Sequence, residues 1–106
     1  MIKVTIQKNN REYKAVFCEG HAGFDDPGKD IVCAAVSILL INTANSIERF
    51  TDSFLGSDED DGVLRLVLKD HPDEKANVLI DALILGLESI QSEYGKKFLE
   101  IENREV

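Results

Sequence analysis

The 106-residue chain contains two histidines and two cysteines, and His21 and Cys33 stand toward the two ends of one glycine-rich stretch. Gly20, Gly23 and Gly28 fall within nine residues there, with Pro27 and several acidic residues around them. Glycine opens backbone angles closed to other residues and lets a ligand approach the main chain, and Pro-Gly is a common turn dipeptide. Asp30 then has the residue type of a helix N-cap, which would make Cys33 the third helical residue. First-turn N–H groups lack intrahelical acceptors and the helix dipole favours negative charge, so a thiol in that position is biased toward thiolate. Thiol-dependent hydrolysis of a peptide bond needs such a thiolate, a histidine to pass a proton to the leaving amine, and donors for the tetrahedral oxyanion. The helix end could supply those donors. Spacing alone leaves the pairing open, because twelve extended residues reach roughly 40 Å. Asp30 also works against the thiolate by its charge, and would occupy one donor if its carboxylate capped the Cys33 N–H.

Two metal readings compete. Cys18, His21, Cys33 and His71 are four ligand types suited to zinc, but their spacing matches no closed zinc pattern beyond the Cys18-x-x-His21 half-site. The acidic run Asp58-Glu59-Asp60-Asp61-Gly62 suggests a calcium loop. Aligned on Gly62, however, the first ligand would be Ser57 and the twelfth Leu68, where a bidentate glutamate is required. No metal and no cofactor is therefore expected, and the run reads as a solvated, turn-rich connection over residues 56–62 that could attract a basic partner.

The elements that must position these residues follow from periodicity. Residues 2–6 alternate apolar and polar with β-branched side chains, residues 8–11 turn the chain, and residues 13–18 resume the extended pattern, which predicts a β-hairpin. Cys18 is its last inward residue. A helix is predicted from the Asp30 cap to about Thr51. Eleven of the fourteen residues Ile31 to Ala44 are apolar, more than one buried stripe requires. Residues 63–69 (VLRLVLK) read as a strand in a central position, broken by Asp70-His71-Pro72. A second helix is predicted from about Asp73 to Tyr94, with nine of the twelve residues Ala76 to Leu87 apolar and Gly95 as its C-terminal cap. Residues 98–101 make a short last strand. The order ββαβαβ predicts a single α+β domain over residues 1–106: a small, mainly antiparallel sheet packed with two long helices.

Composition narrows the setting. Twelve basic against twenty acidic residues give a formal charge of −8, which disfavours binding to phosphate backbones, since Lys and Arg supply most of that affinity. No direct nucleic acid partner is expected. No uninterrupted apolar run approaches the roughly 20 residues of a membrane span, and the first ten residues lack the pattern of an export signal. A cytoplasmic setting with two reduced thiols follows as an expectation. The surplus of apolar helix surface predicts a homodimer.

The segment Gly20-His21-Ala22-Gly23, then Gly28, then Asp30-Ile31-Val32-Cys33-Ala34-Ala35-Val36-Ser37, resembles the ribosomal-processing cysteine protease family, known as Prp. Length and predicted element order suit that family over essentially the whole chain, while residues 20–37 carry the motif. The resemblance implies an endopeptidase that removes the N-terminal extension of a basic large-subunit ribosomal protein during ribosome assembly. It implies Cys33 as nucleophile and His21 as general acid and base, with Asp30 and Ser37 as supporting residues. Gly20, Ala22, Gly23 and Gly28 would shape a substrate loop over residues 20–29, expected to order when the peptide binds, and a dimeric protein is implied as well. The reading set against it is a non-catalytic acidic dimer that holds a basic ribosomal protein or assembly factor, with Cys33 merely buried.

Overall fold

The structure, a computed structural model, describes all residues except 21, 22, 24–29 and 61. Strands β1 (Ile2–Asn9) and β2 (Glu12–Glu19) form the first hairpin, followed by helix α1 (Ile31–Phe50), strands β3 (Phe54–Asp60) and β4 (Val63–Leu68), helix α2 (Glu74–Tyr94) and strand β5 (Leu99–Glu105). The five strands lie in the order β3-β4-β2-β1-β5. Pairs β1–β2, β2–β4 and β3–β4 are antiparallel, and β5 runs parallel to β1. β4 is therefore codirectional with β5, and α2 is the crossover that carries the chain across two intervening strands. This is the α+β architecture expected, with a sheet that is antiparallel except at one edge.

Alternation decides which face of the sheet receives the helices. Ile2, Val4 and Ile6 of β1, Val16 of β2, and Leu66 and Leu68 of β4 are buried, and they meet Val32, Val36, Leu40 and Ile47 of α1 and Ile80, Leu83 and Leu87 of α2. Each helix begins on an aspartate cap, Asp30 and Asp73, and α2 stops at Gly95, whose φ of +113° is open to glycine and closed to most side chains. The helices cross where Gly86 faces Leu39: a Cβ on Gly86 would lie 2.8 Å from Leu39 Cδ1.

The last strand, expected over residues 98–101, runs over Leu99–Glu105, and two further sequence expectations change. The acidic stretch expected as a connection is mostly strand: Gly56 to Asp60 pair with β4, so the observed order is ββαββαβ. β3 is an edge strand whose last four residues are all exposed, so no buried alternation marks it in the sequence, and its charge blunts an edge that would otherwise invite pairing with another chain. The second change concerns α1, which is long and apolar enough by composition to cross a membrane although no uninterrupted apolar run is that long. Val32, Val36, Leu40, Thr43, Ala44 and Ile47 are buried in the fold, so this helix serves as the wall of the core.

Candidate active site

The first turn of α1 is built around Asp30. Its backbone is extended (φ −76°, ψ 99°) and its Oδ1 accepts hydrogen bonds from the N–H groups of Val32 and Cys33, each 3.0 Å long. Its carbonyl oxygen accepts the Ala34 N–H at 3.1 Å. Cys33 is thus the third residue of the helix, held by the cap through its own amide and half-buried at the margin of the core. Ser37 lies one turn further along, exposed, on the same side of the helix. The expectation that this helix end supplies oxyanion donors is corrected in one respect: the Val32 and Cys33 amides are occupied by the Asp30 carboxylate in this conformation. The carboxylate competes successfully because it sits in the cap position with two amides in reach.

Cys18 approaches the same turn from the sheet. It pairs with Val4 on one side and Leu64 on the other, so it faces the helices, and it is in the electrostatic neighbourhood of Cys33. Burial first, then the adjacent Cys33 and Glu19, push its thiol from 9.0 up to about 11. Cys18 is therefore a neutral, poorly nucleophilic thiol at neutral pH. Sequence reasoning placed Cys18 facing inward but had no means of bringing it beside Cys33, because cross-strand register and helix placement decide that contact.

Gly20 closes β2 with φ +89°, and a Cβ there would stand 2.5 Å from the carbonyl oxygen of Met1. Glycine is required twice over, by the backbone angle and by the approach of the N-terminal strand. Gly23 also has positive φ (+70°), and among the described residues no atom lies within 4 Å of a Cβ built there. His21, Ala22 and Gly28 lie outside the described residues. Of the four zinc-ligand candidates, His71 sits at the far end of β2 from Cys18, its Nδ1 3.1 Å from both carboxylate oxygens of Glu12. The fold does not bring it to the cysteines. Among the described residues no three His, Cys, Asp or Glu side chains gather into a group that could hold a metal ion.

A small mixed-sheet α+β domain that holds a half-buried thiol on a capped first helical turn has a place for the sulfur that thiol-dependent hydrolysis requires. The family model for cysteine protease Prp matches residues 1–99. The ribosomal processing cysteine protease Prp of Bacillus subtilis is 30% identical over 101 residues, covering 89% of this chain and 90% of that protein. A crystal structure of the Staphylococcus aureus ribosomal processing protease Prp, in complex with a covalently linked product peptide, superposes with a TM-score of 0.90 at 27% identity, covering 98% of this chain and 100% of that one. A solved Streptococcus mutans protein is similar with a TM-score of 0.81 at 31% identity, covering 100% and 96%. The chain belongs to the cysteine protease Prp family, and it is a cysteine protease.

Proposed function

We propose that this protease removes the N-terminal extension of a basic large-subunit ribosomal protein, with Cys33 as nucleophile and His21 as general acid and base. The observation that carries the reading is the position of Cys33 on the capped first turn of α1, half-buried yet at the edge of the core. The covalent product complex of the similar Staphylococcus aureus enzyme supports it, since a peptide joined to an enzyme is what a nucleophilic mechanism leaves behind. The Cys33 sulfur attacks the scissile carbonyl carbon, a C–S bond forms, and the C–N bond breaks as His21 gives a proton to the departing amine. Water, deprotonated by the same histidine, then hydrolyses the thioester and restores the thiol. Asp30 holds the turn that carries Cys33. Ser37 supports the site from the next turn, and Gly20, Ala22, Gly23 and Gly28 shape the loop that receives the peptide.

The enzyme acts in the cytoplasm, where its substrate is made, as a homodimer formed through the solvent faces of its helices. Ile38 of α1 and Val78 and Leu85 of α2 are each more than half exposed, an unusual cost for a small domain that stays monomeric. The net charge of −8 suits a basic substrate. The test is incubation with the long form of the ribosomal protein and mass spectrometry of the products. Wild type yields one new N-terminus, Cys33→Ala yields none while keeping its fold, and His21→Ala is slowed severely. Full cleavage by Cys33→Ala would overturn the nucleophile assignment, and binding of the precursor without cleavage by wild type would favour the acidic binding module.

A further inference from the structure

The side of α1 that carries Cys33 and Ser37 continues through Ile41 and Ala44, since residues three or four apart share one face. Beside it lies a groove of about 230 Å³ with Ile41, Ala44 and Asn45 along one wall, and Ser57, Asp58, Glu59 and Leu64 along the other. Its floor is apolar and its outer rim is acidic. The strand register ties this groove to the site: Cys18 pairs with Leu64, and Leu64 pairs with Glu59, so Glu59 stands in the same cross-strand row as Cys18, two strands over. At about 4.8 Å between strands, that is about 10 Å.

The two acids of the rim are not equivalent. Asp58 pairs with Arg65 on the face of the sheet away from the helices, and its Oδ1 accepts from Arg65 Nη1 at 3.1 Å. Glu59 pairs with Leu64 on the helix-facing side, and among the described residues no hydrogen bond or ion pair involves its carboxylate. From Cys33 to Ile41 is eight helical residues, about 12 Å at the helical rise. An extended peptide covers that distance in three to four residues.

We infer that the groove between α1 and β3 takes the substrate segment that follows the scissile bond, with Glu59 pairing with a lysine or arginine three to four residues beyond it. The inference rests on the proposed function, in which the part of the substrate retained after cleavage is the basic ribosomal protein itself. Charge complementarity selects this occupant: a polybasic chain leaving the nucleophile along α1 meets an apolar floor for its aliphatic stems and a carboxylate for its charge. The β3 strand, acidic and at the sheet edge, is then a specificity element of the protease.

The test compares two peptides spanning the cleavage site, identical except for lysine or glutamine at the third and fourth positions after the cut. Wild type prefers the lysine peptide by up to about fivefold in kcat/KM at low salt, the range of an exposed ion pair, and added salt shrinks the preference. Glu59→Gln brings the ratio to about one, Glu59→Lys turns it in favour of the glutamine peptide, and Asp58→Asn leaves the wild-type ratio. A ratio reads specificity independently of any loss of folded protein. Retention of the preference by Glu59→Gln overturns the inference, as does an equal loss in Asp58→Asn, which would mark a diffuse acidic field. A change of molecular mass in Glu59→Gln, read by light scattering, would assign the groove to a second copy and also overturn it. Cleavage of both peptides at equal rates sinks this inference alone, whereas failure to cleave either sinks the substrate reading beneath it.

Discussion

Two cysteines share a neighbourhood, and burial separates their chemistry. Cys18 is held neutral by its surroundings, with its thiol pushed up to about 11. Brief exposure to iodoacetamide at neutral pH should therefore modify Cys33 first, with Cys18 reacting once the chain unfolds; intact-mass and peptide mapping read the order, and equal labelling would remove the distinction. The same burial makes stability fall in alkali. Between pH 9 and about 11 the unfolded chain gives up the Cys18 proton while the folded chain keeps it, so the contribution is complete below 9 and lost as pH rises toward 11. Two units correspond to about 3 kcal/mol as an upper figure. Tyr13, buried and hydrogen-bonded to Asp81, has its phenol raised to about 12 and acts in the same direction at higher pH. Melting curves across this range should show Cys18→Ala less stable than wild type at neutral pH yet flatter between pH 9 and 11. Asp30 works through its cap. Asp30→Ala removes the acceptor of two amides and should cost about 1 to 2 kcal/mol, a fall in Tm of several degrees, and should depress cleavage by loosening the turn that holds Cys33. Asp30→Asn should keep most of the stability.

Elements are joined at two glycines where the same added methyl group has different consequences. At Gly20 a Cβ would meet the Met1 carbonyl oxygen at 2.5 Å with φ at +89°, so Gly20→Ala strains the backbone and separates the end of β2 from the start of β1. We expect a loss of about 1 to 3 kcal/mol and a steep fall in activity, because the next residue is His21, the general acid and base we propose. At Gly86 the obstacle is the tip of Leu39, at 2.8 Å from Cδ1, a flexible side chain that can turn aside. Alanine is also a better helix former than glycine by about 1 kcal/mol. Gly86→Ala should therefore leave Tm within a few degrees of wild type, and Gly86→Leu, which must push α1 from α2, should lower it well beyond that. Differential scanning calorimetry of the three variants distinguishes the cases; a neutral Gly20→Ala would show that the β1–β2 junction has slack.

For the whole molecule, the apolar surface left on the two helices has to be accounted for. The helices are antiparallel neighbours: Leu39 faces Gly86, and Phe50 at the end of α1 joins Glu74, Val78 and Leu79 at the start of α2 around a cavity of about 410 Å³. Their outer faces carry Ile38 and Leu85, 66% and 67% exposed. In the homodimer we propose, these residues meet their symmetry mates, and light scattering across micromolar concentrations should return twice 11.8 kDa. Ile38→Glu combined with Leu85→Glu should dissociate it, since placing four like charges in one apolar contact is strongly unfavourable. A constant mass near 11.8 kDa for wild type would refute the dimer.

The amino-acid sequence by itself determined what depends on local pattern. The Asp30 cap, the ends of α2 at Asp73 and Gly95, the first hairpin and the inward face of Cys18 all follow from residue type and period, and the structure carries each of them. The motif around Cys33 was legible for the same reason: a capping residue three positions before a cysteine is a local signal. The part played by His21 remains a reading of the motif, because that residue lies outside the described ones. Tertiary structure alone decided the rest. Residues 57–60 have no buried face to impose alternation, so only pairing with β4 makes them a strand. The nearness of Cys18 to Cys33 and the row from Cys18 through Leu64 to Glu59 come from the register of separate strands and the placement of α1 over them. Such contacts join residues far apart in the chain, and no local propensity encodes the distance between them.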